Sequence, residues 1–262
     1  MSSVKEEGGE EIKHVAHNLE EVRRRLHAAC EACGRGDEPR LVAVSKTKPL
    51  AAVRAAYAAG QRDFGENYVQ ELAEKARLLA EETAAAGADP MPELAWHFIG
   101  HLQTNKVRHV VAVPHLRVIE TIDSERLAAA VEKEWVRHRS SPAGAHAPEQ
   151  LCVMVQVNTS GEAQKSGVAP ADAPALVRFV REHCPHLRLV GLMTIGEAAL
   201  AGGDPVHDFE ALRACRDTLV RDPALELSMG MSGDFEVAAQ HGSTNVRVGS
   251  LIFGARIYPA KS

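Results

Sequence analysis

The sequence is poor in aromatic residues. Two Trp, three Tyr and six Phe are 4% of its 262 residues, and the 30 Lys and Arg are not gathered into a stripe interleaved with them. That pattern gives nucleic-acid binding little support. Long hydrophobic runs are missing too: the apolar stretches are strand-length, short of the ~20 residues a membrane helix needs, so no membrane association is expected. The five cysteines are an odd number, which fits a reducing compartment better than a disulfide framework. Cys30 and Cys33 form one C-x-x-C near the end of a charged helix, but no second pair completes a zinc site and no strand precedes it. The start, Met1-Ser2-Ser3-Val4-Lys5-Glu6-Glu7, has neither the apolar core of a secretory signal nor an Arg/Ser-rich transit pattern. Residues 1–10 are expected to be an unstructured acidic segment, 259–262 a C-terminal tail, and the location cytoplasmic.

What the chain does have is a repeating order of elements. Apolar residues at helical spacing (Ile12, Val15, Leu19, Val22, Leu26) predict a leading helix from Glu11 to Cys33, closed by Gly34. Strand-like and helix-like segments then alternate. Strands are expected at 40–45, 63–67, 96–100, 117–122, 151–157, 187–195, 225–231 and 245–253. Helices are expected at 50–59, 69–85, 105–111, 124–139 with Ser124 as N-cap, 171–183, 208–220 and 233–240. The Ser/Pro/Gly-rich stretch from Ser140 to Pro148 interrupts this order without ending it, so it reads as a loop inside one domain. Strands apolar on both faces and alternating with helices argue for a parallel sheet closed as a single (β/α)8 barrel of the TIM type, with the extra helix in front, over residues 11–258. The competing open, doubly wound sheet usually carries a Gly-rich first turn. Here that turn is Ser45-Lys46-Thr47-Lys48-Pro49.

In such a barrel, functional sites form where the strands end, and the polar punctuation of this chain lies there. Lys46 ends the first strand at the mouth of an apolar core, where poor solvation favours a neutral, nucleophilic amine that can form a Schiff base with an aldehyde. A solvated turn lysine is the plainer alternative. Ser232 and Gly233 open a helix whose free N–H groups suit an anion, and Gly249-Ser250 interrupts the eighth strand where glycine permits close backbone approach. Phosphate sites after strands seven and eight recur in this fold; a helix cap plus a bulge is the plainer alternative. Closure makes strand eight the neighbour of strand one, so Arg247 and Lys46 are expected to flank one ligand. A phosphate, an aldehyde-reactive lysine and a flat ring between them describe pyridoxal 5′-phosphate.

Several stretches together resemble the pyridoxal phosphate homeostasis protein family, single-domain relatives of the alanine racemase barrel. They are Val42-Ala43-Val44-Ser45-Lys46-Thr47-Lys48-Pro49, Phe64-Gly65-Glu66-Asn67-Tyr68-Val69-Gln70-Glu71, Trp96 to Gln103, Val157 to Glu162, Gly191 to Gly196, Leu227 to Ser232 and Gly242 to Ser250. The resemblance implies that Lys46 carries the cofactor as an internal aldimine, that Asn67 lies beside the ring, and that Ser232, Gly249 and Ser250 hold the phosphate. By analogy with racemase barrels, Arg247 would face the pyridine nitrogen. It also implies storage, buffering or delivery of the cofactor to pyridoxal phosphate-dependent apo-enzymes rather than turnover. A monomer or weak dimer is expected, though the sequence does not fix the oligomeric state. Two departures from the family pattern are visible, in the loop Gly161 to Gly167 and in Leu251-Ile252-Phe253 after the glycine-serine.

The alternative is a small amino-acid racemase or lyase. A carbanion-stabilising pyridoxal enzyme usually pairs the ring nitrogen with a carboxylate, and an arginine cannot accept that proton. A racemase would also need a second acid/base. Tyr57 and Tyr68 fall on barrel helices and Tyr258 in the tail, which leaves His101 in a mouth loop; His97, inside an apolar strand, reads as a satisfied core residue. Lys48 and Lys165 are expected in loops at the same mouth, placed to take the aldehyde transiently or to steer the phosphate.

Overall fold

The computed structural model describes residues 3–87, 91–162, 165–196 and 204–255, with side chains of the first helix from His14 onward. Eight parallel strands close into a barrel in sequence order: β1 Arg40–Val44, β2 Asp63–Glu66, β3 Ala95–Phe98, β4 Leu116–Ile122, β5 Leu151–Gln156, β6 Leu187–Met193, β7 Glu226–Ser228 and β8 Asn245–Val248. Val42 pairs with Arg247 across the closing β1–β8 ladder. The strand sequences alternate faces. Ala43, Phe64, Trp96, Phe98, Ile119 and Val153 join the core beneath the helices. The intervening positions line the barrel interior, where Gly65 leaves room: a Cβ there would lie 3.1 Å from both Val42 and Ile99.

The helices are α1 Ser3–Ala32, α2 Leu50–Ala58, α3 Val69–Ala86, α4 Val107–Val111, α5 Glu125–Arg139, α6 Ala173–His183, α7 Pro205–Ala214, α8 Phe235–Gln240 and α9 Ser250–Phe253. The Ser124 hydroxyl caps α5 by accepting the Leu127 N–H at 3.3 Å. Glu125 in the first turn and Arg137, His138 and Arg139 in the last complement the helix dipole. Helix α1 lays Val15, Leu19, Val22, Leu26 and Cys30 against α2, α8 and α9. Each such side chain contributes about 1.5–3 kcal/mol of burial. Asn18 on α1 donates to the Ile252 carbonyl of α9 at 3.1 Å, so the leading helix braces the element that follows β8.

Three expectations need correction. Helix α1 begins at Ser3, so residues 3–10, expected to be unstructured, continue it. The eighth strand stops at Val248: Gly249 turns the chain, and Ser250–Phe253 form the single turn α9 instead of more strand. The helix after β6 is α-helical only to Ala214 and continues as a π-helix over Cys215–Val220, ending at left-handed Arg221 (φ 58°). Residues 259–262 and Tyr258 lie outside the described residues. No helix among the described residues is long and apolar enough to cross a membrane.

Candidate functional site

Strand ends β1, β2, β7 and β8 bring the expected residues to one region of the mouth. Lys46 is half-buried two residues beyond the end of β1, and Asn67 follows directly on β2. Gly249 sits against β1 so closely that a Cβ would lie 3.1 Å from the Val44 carbonyl oxygen. The Gly249 N–H donates to the Ser232 hydroxyl at 3.1 Å, so the turns after β7 and β8 form one cup. Gly230 (φ 96°) lets β7 end abruptly. Asp234 then accepts the Met231 N–H at 2.5 Å, which fixes the loop bearing Ser232; burial pushes the Asp234 carboxyl up, with Arg247 opposing. Ser250 is exposed at the start of α9.

Asn67 is positioned by a glycine. A Cβ on Gly100 would fall 1.9 Å from the Asn67 carbonyl oxygen, so only glycine lets the turn after β2 settle on the end of β3. The Asn67 Oδ1 is buried and has no hydrogen-bond partner among the described residues. A buried polar atom is normally paired, so this acceptor suits a ligand's donor.

Beneath the mouth, the barrel interior is charged. Arg247 is buried; its Nη1 donates to Ser228 Oγ (2.6 Å) and its Nη2 to the Thr194 carbonyl (2.8 Å). Ser228 donates to Glu120 Oε2 (2.5 Å), and Asn245 Nδ2 donates to Glu120 Oε1 (3.1 Å). His97 Nδ1 lies 2.6 Å from Glu120 Oε1, and its Nε2 lies 3.0 Å from Asp63 Oδ1. Asp63 in turn has Arg40 and Arg117 within 3.9 Å. An ionised carboxylate only accepts, so two of them on one imidazole require both ring nitrogens to donate. Burial works to lower the His97 pKa, but Asp63 and Glu120 outweigh it and raise it. Burial works to raise Glu120 and Asp63, and His97 outweighs it, holding both below the ordinary carboxylate range. The charges therefore alternate along the barrel: Arg247, Glu120, His97, Asp63, then Arg40 and Arg117. The Ser228 hydroxyl, bound to give its one proton to Glu120, turns a lone pair to Arg247.

A second polar cluster lies behind the Lys46 turn. Lys75 on α3 bonds Glu66, Glu71 and the Ser45 carbonyl.

The other candidates separate. Lys48 is buried and donates to the Ala255 carbonyl at 2.8 Å, so it braces the chain after α9 instead of standing in the mouth as expected. Lys165 is tied to Glu162 and to the Gly196 carbonyl. His101 is exposed, beside Ser166 (3.1 Å) and Asp123 (3.7 Å). Tyr57 lies under Arg62 on the outer helices, and Tyr68 is 50% exposed. Sequence reading missed Glu120, Ser228, Thr194, Glu66, Glu71 and Lys75. A signal existed for one of them: Glu120 is a charge inside the mostly apolar β4, and buried charges are rare unless paired. No group of three or more His, Cys, Asp or Glu among the described residues is arranged to hold a metal ion.

Comparison with known proteins gives the family. The family described as "Alanine racemase, N-terminal domain" matches residues 11–257. The chain is 50% identical over 235 residues to a Bos taurus protein named pyridoxal phosphate homeostasis protein, covering 86% of this chain and 80% of that one. A Pseudomonas aeruginosa protein of the same name is 43% identical over 250 residues, covering 94% and 97%. The structure of PipY from Synechococcus elongatus with pyridoxal phosphate bound superposes with a TM-score of 0.67 at 31% identity, covering 92% of this chain and all of that one. The chain belongs to the alanine racemase N-terminal-domain family and, within it, to the pyridoxal phosphate homeostasis proteins.

Proposed function

We propose that this protein binds pyridoxal 5′-phosphate covalently through Lys46 and serves to store, buffer and hand over the cofactor, without a turnover reaction of its own. The observation that carries the reading is the meeting of β1 and β8. The half-buried Lys46 amine, the buried Arg247 cation and the Ser232–Gly249 cup sit at adjacent strand ends. The residues fit the group: the Gly249 N–H and the Ser232 hydroxyl meet between the ends of β7 and β8, with the exposed Ser250 next in the chain, and Asn67 Oδ1 is a buried acceptor with no partner among the described residues. When bound, pyridoxal phosphate supplies an aldehyde that joins an amine and a ring able to draw electrons from it. Lys46 would provide the amine, Ser232, Gly249 and Ser250 would hold the phosphate, Asn67 would flank the ring, and Arg247 would face the ring nitrogen.

By the analogy above, racemase barrels also set an arginine at the ring nitrogen, so the non-catalytic half of the reading rests on the second acid/base that such a ring would need. A guanidinium has donors only and keeps its protons, so facing the ring nitrogen it would leave that nitrogen unprotonated and the ring a weak electron sink. Burial lowers the Arg247 pKa, and Glu120 and Asp234 oppose that shift. His101, the residue best placed by sequence to act as a second acid/base, is engaged at the rim by Ser166. The reading sets this work in the cytoplasm, in line with five cysteines that are all free thiols.

Visible absorbance of the purified protein with added pyridoxal phosphate tests the reading. Wild type gains a band that Lys46→Ala lacks, and the loaded protein activates a pyridoxal phosphate-dependent apo-enzyme. Incubation with L- or D-alanine in deuterated water leaves the α-proton in place. Rapid α-proton exchange would overturn the carrier reading in favour of a racemase.

A further inference from the structure

The backbone that presents Lys46 is gripped from behind by α3. Lys75 Nζ donates to the Ser45 carbonyl (2.8 Å), to Glu66 Oε1 (2.5 Å) and to Glu71 Oε1 (2.8 Å). Glu71 Oε1 also accepts the Thr47 backbone N–H at 2.6 Å. Ser45 adds its own hydroxyl, donated to Glu66 Oε1 at 2.7 Å. Both main-chain contacts of this cluster land on the residues flanking Lys46, one on each side.

The turn needs holding. Thr47 has φ 63°, a left-handed conformation that is a genuine outlier for a β-branched residue. Such a conformation persists only where the surroundings over-determine it. Here the Thr47 N–H is fixed by Glu71, and the Lys48 N–H closes back on the Ser45 carbonyl at 3.1 Å. Glu71 and Lys75 stand one helical turn apart on α3, so they face the turn together. Glu66 and Lys75 are buried, which makes the grip stiff. Burial pushes the Glu66 carboxyl up; Lys75 opposes this and Glu71 adds to it.

We propose that Glu71 and Lys75 are positioning residues for Lys46, setting the direction from which its amine meets an aldehyde without themselves touching the ligand. The proposal rests on the reading of Lys46 as the attachment residue. In attachment, Lys46 Nζ bonds to the aldehyde carbon, and the aldehyde oxygen leaves as water with the two amine hydrogens. Orientation of the amine governs the rate of that condensation, whereas the phosphate cup after β7 and β8 governs the hold on the rest of the molecule. The two are separable by experiment.

The test compares the rate of covalent attachment of pyridoxal phosphate, trapped by borohydride and read by mass spectrometry, with affinity for 4′-deoxypyridoxine 5′-phosphate, which lacks the aldehyde. Glu71→Ala removes the acceptor for the Thr47 N–H at a part-exposed position, so the fold is retained. Loss of this charge-assisted hydrogen bond is expected to slow attachment about tenfold, with analogue affinity unchanged. Glu71→Gln, whose amide oxygen still accepts that N–H, restores most of the rate, and Lys75→Met slows it as Glu71→Ala does. Attachment at the wild-type rate in Glu71→Ala overturns the proposal. So does an equal loss of rate and analogue affinity, which marks the cluster as general support for the cup. A wild-type protein that binds the analogue but never attaches the cofactor instead sinks the reading of Lys46, and this proposal with it.

Discussion

Replacing His97 by Leu tests the charge ladder inside the barrel most sharply. Leu is similar in size, so the change removes a charge and two hydrogen bonds with little change in volume. Asp63 is partly exposed and keeps Arg40 and Arg117 nearby, so its loss is small. Glu120 is wholly buried and loses its cationic neighbour at 2.6 Å. It keeps two neutral donors, Ser228 and Asn245, with Arg247 one hydroxyl away. Breaking a buried ion pair from one side costs about 3–5 kcal/mol, and the retained donors put this case near 3 kcal/mol. Urea unfolding followed by circular dichroism reads it as a midpoint lowered by roughly 1 M at unchanged slope.

The pH dependence carries its own sign. The His97 pKa is raised, so its contribution is complete below the ordinary value of about 6.5 and fades as pH rises through the folded value. The Glu120 and Asp63 pKa values are lowered, so their contributions are complete above about 4 and fade as pH falls through the folded values. The cost of His97→Leu is therefore greatest between about pH 5 and 6.5 and shrinks on both sides. A midpoint unmoved at pH 6, or a cost that rises steadily with pH, would refute a charged His97 between two carboxylates.

Further outcomes follow from the same geometry. Ser228→Ala removes the acceptor of Arg247 Nη1 with little change in volume, and calorimetry should show pyridoxal phosphate bound about tenfold more weakly; equal affinity would mean that Arg247 needs no such anchor. Gly100→Ala forces a methyl group to within 1.9 Å of the Asn67 carbonyl oxygen unless the turn moves. It should cost at least the ~1–3 kcal/mol typical of overpacking, seen as a lower Tm, and weaken cofactor binding through Asn67.

The barrel was legible because each β–α unit repeats the same pattern: an apolar strand, a polar turn and an amphipathic helix, as in β1 with α2 or β4 with Ser124-capped α5. Lys46, Arg247 and Ser232 were legible as polar residues at strand ends, and closure alone made β1 and β8 neighbours. Four features were hidden for physical reasons. Leu251-Ile252-Phe253 is as apolar as a strand, and only the packing of Gly249 on Val44 turns it into α9. Lys48 reads as a loop lysine until the chain after α9 returns to cover it. Ser228 and Glu120 are 108 residues apart in sequence, and a strand's inward polar residue does not reveal its partner across the barrel. Lys75 stands in the charged face of a long helix and looks solvated until α3 docks behind the β1 turn.

The most direct measurement is the location of the covalent bond. The protein is loaded with pyridoxal phosphate, reduced with borohydride, digested and mapped by mass spectrometry. Modification is predicted at Lys46 and lost in Lys46→Ala, with Lys48 protected by its burial and its bond to Ala255. Stoichiometric label at Lys48 or Lys165, or full retention of visible absorbance in Lys46→Ala, would contradict a site built around the end of β1.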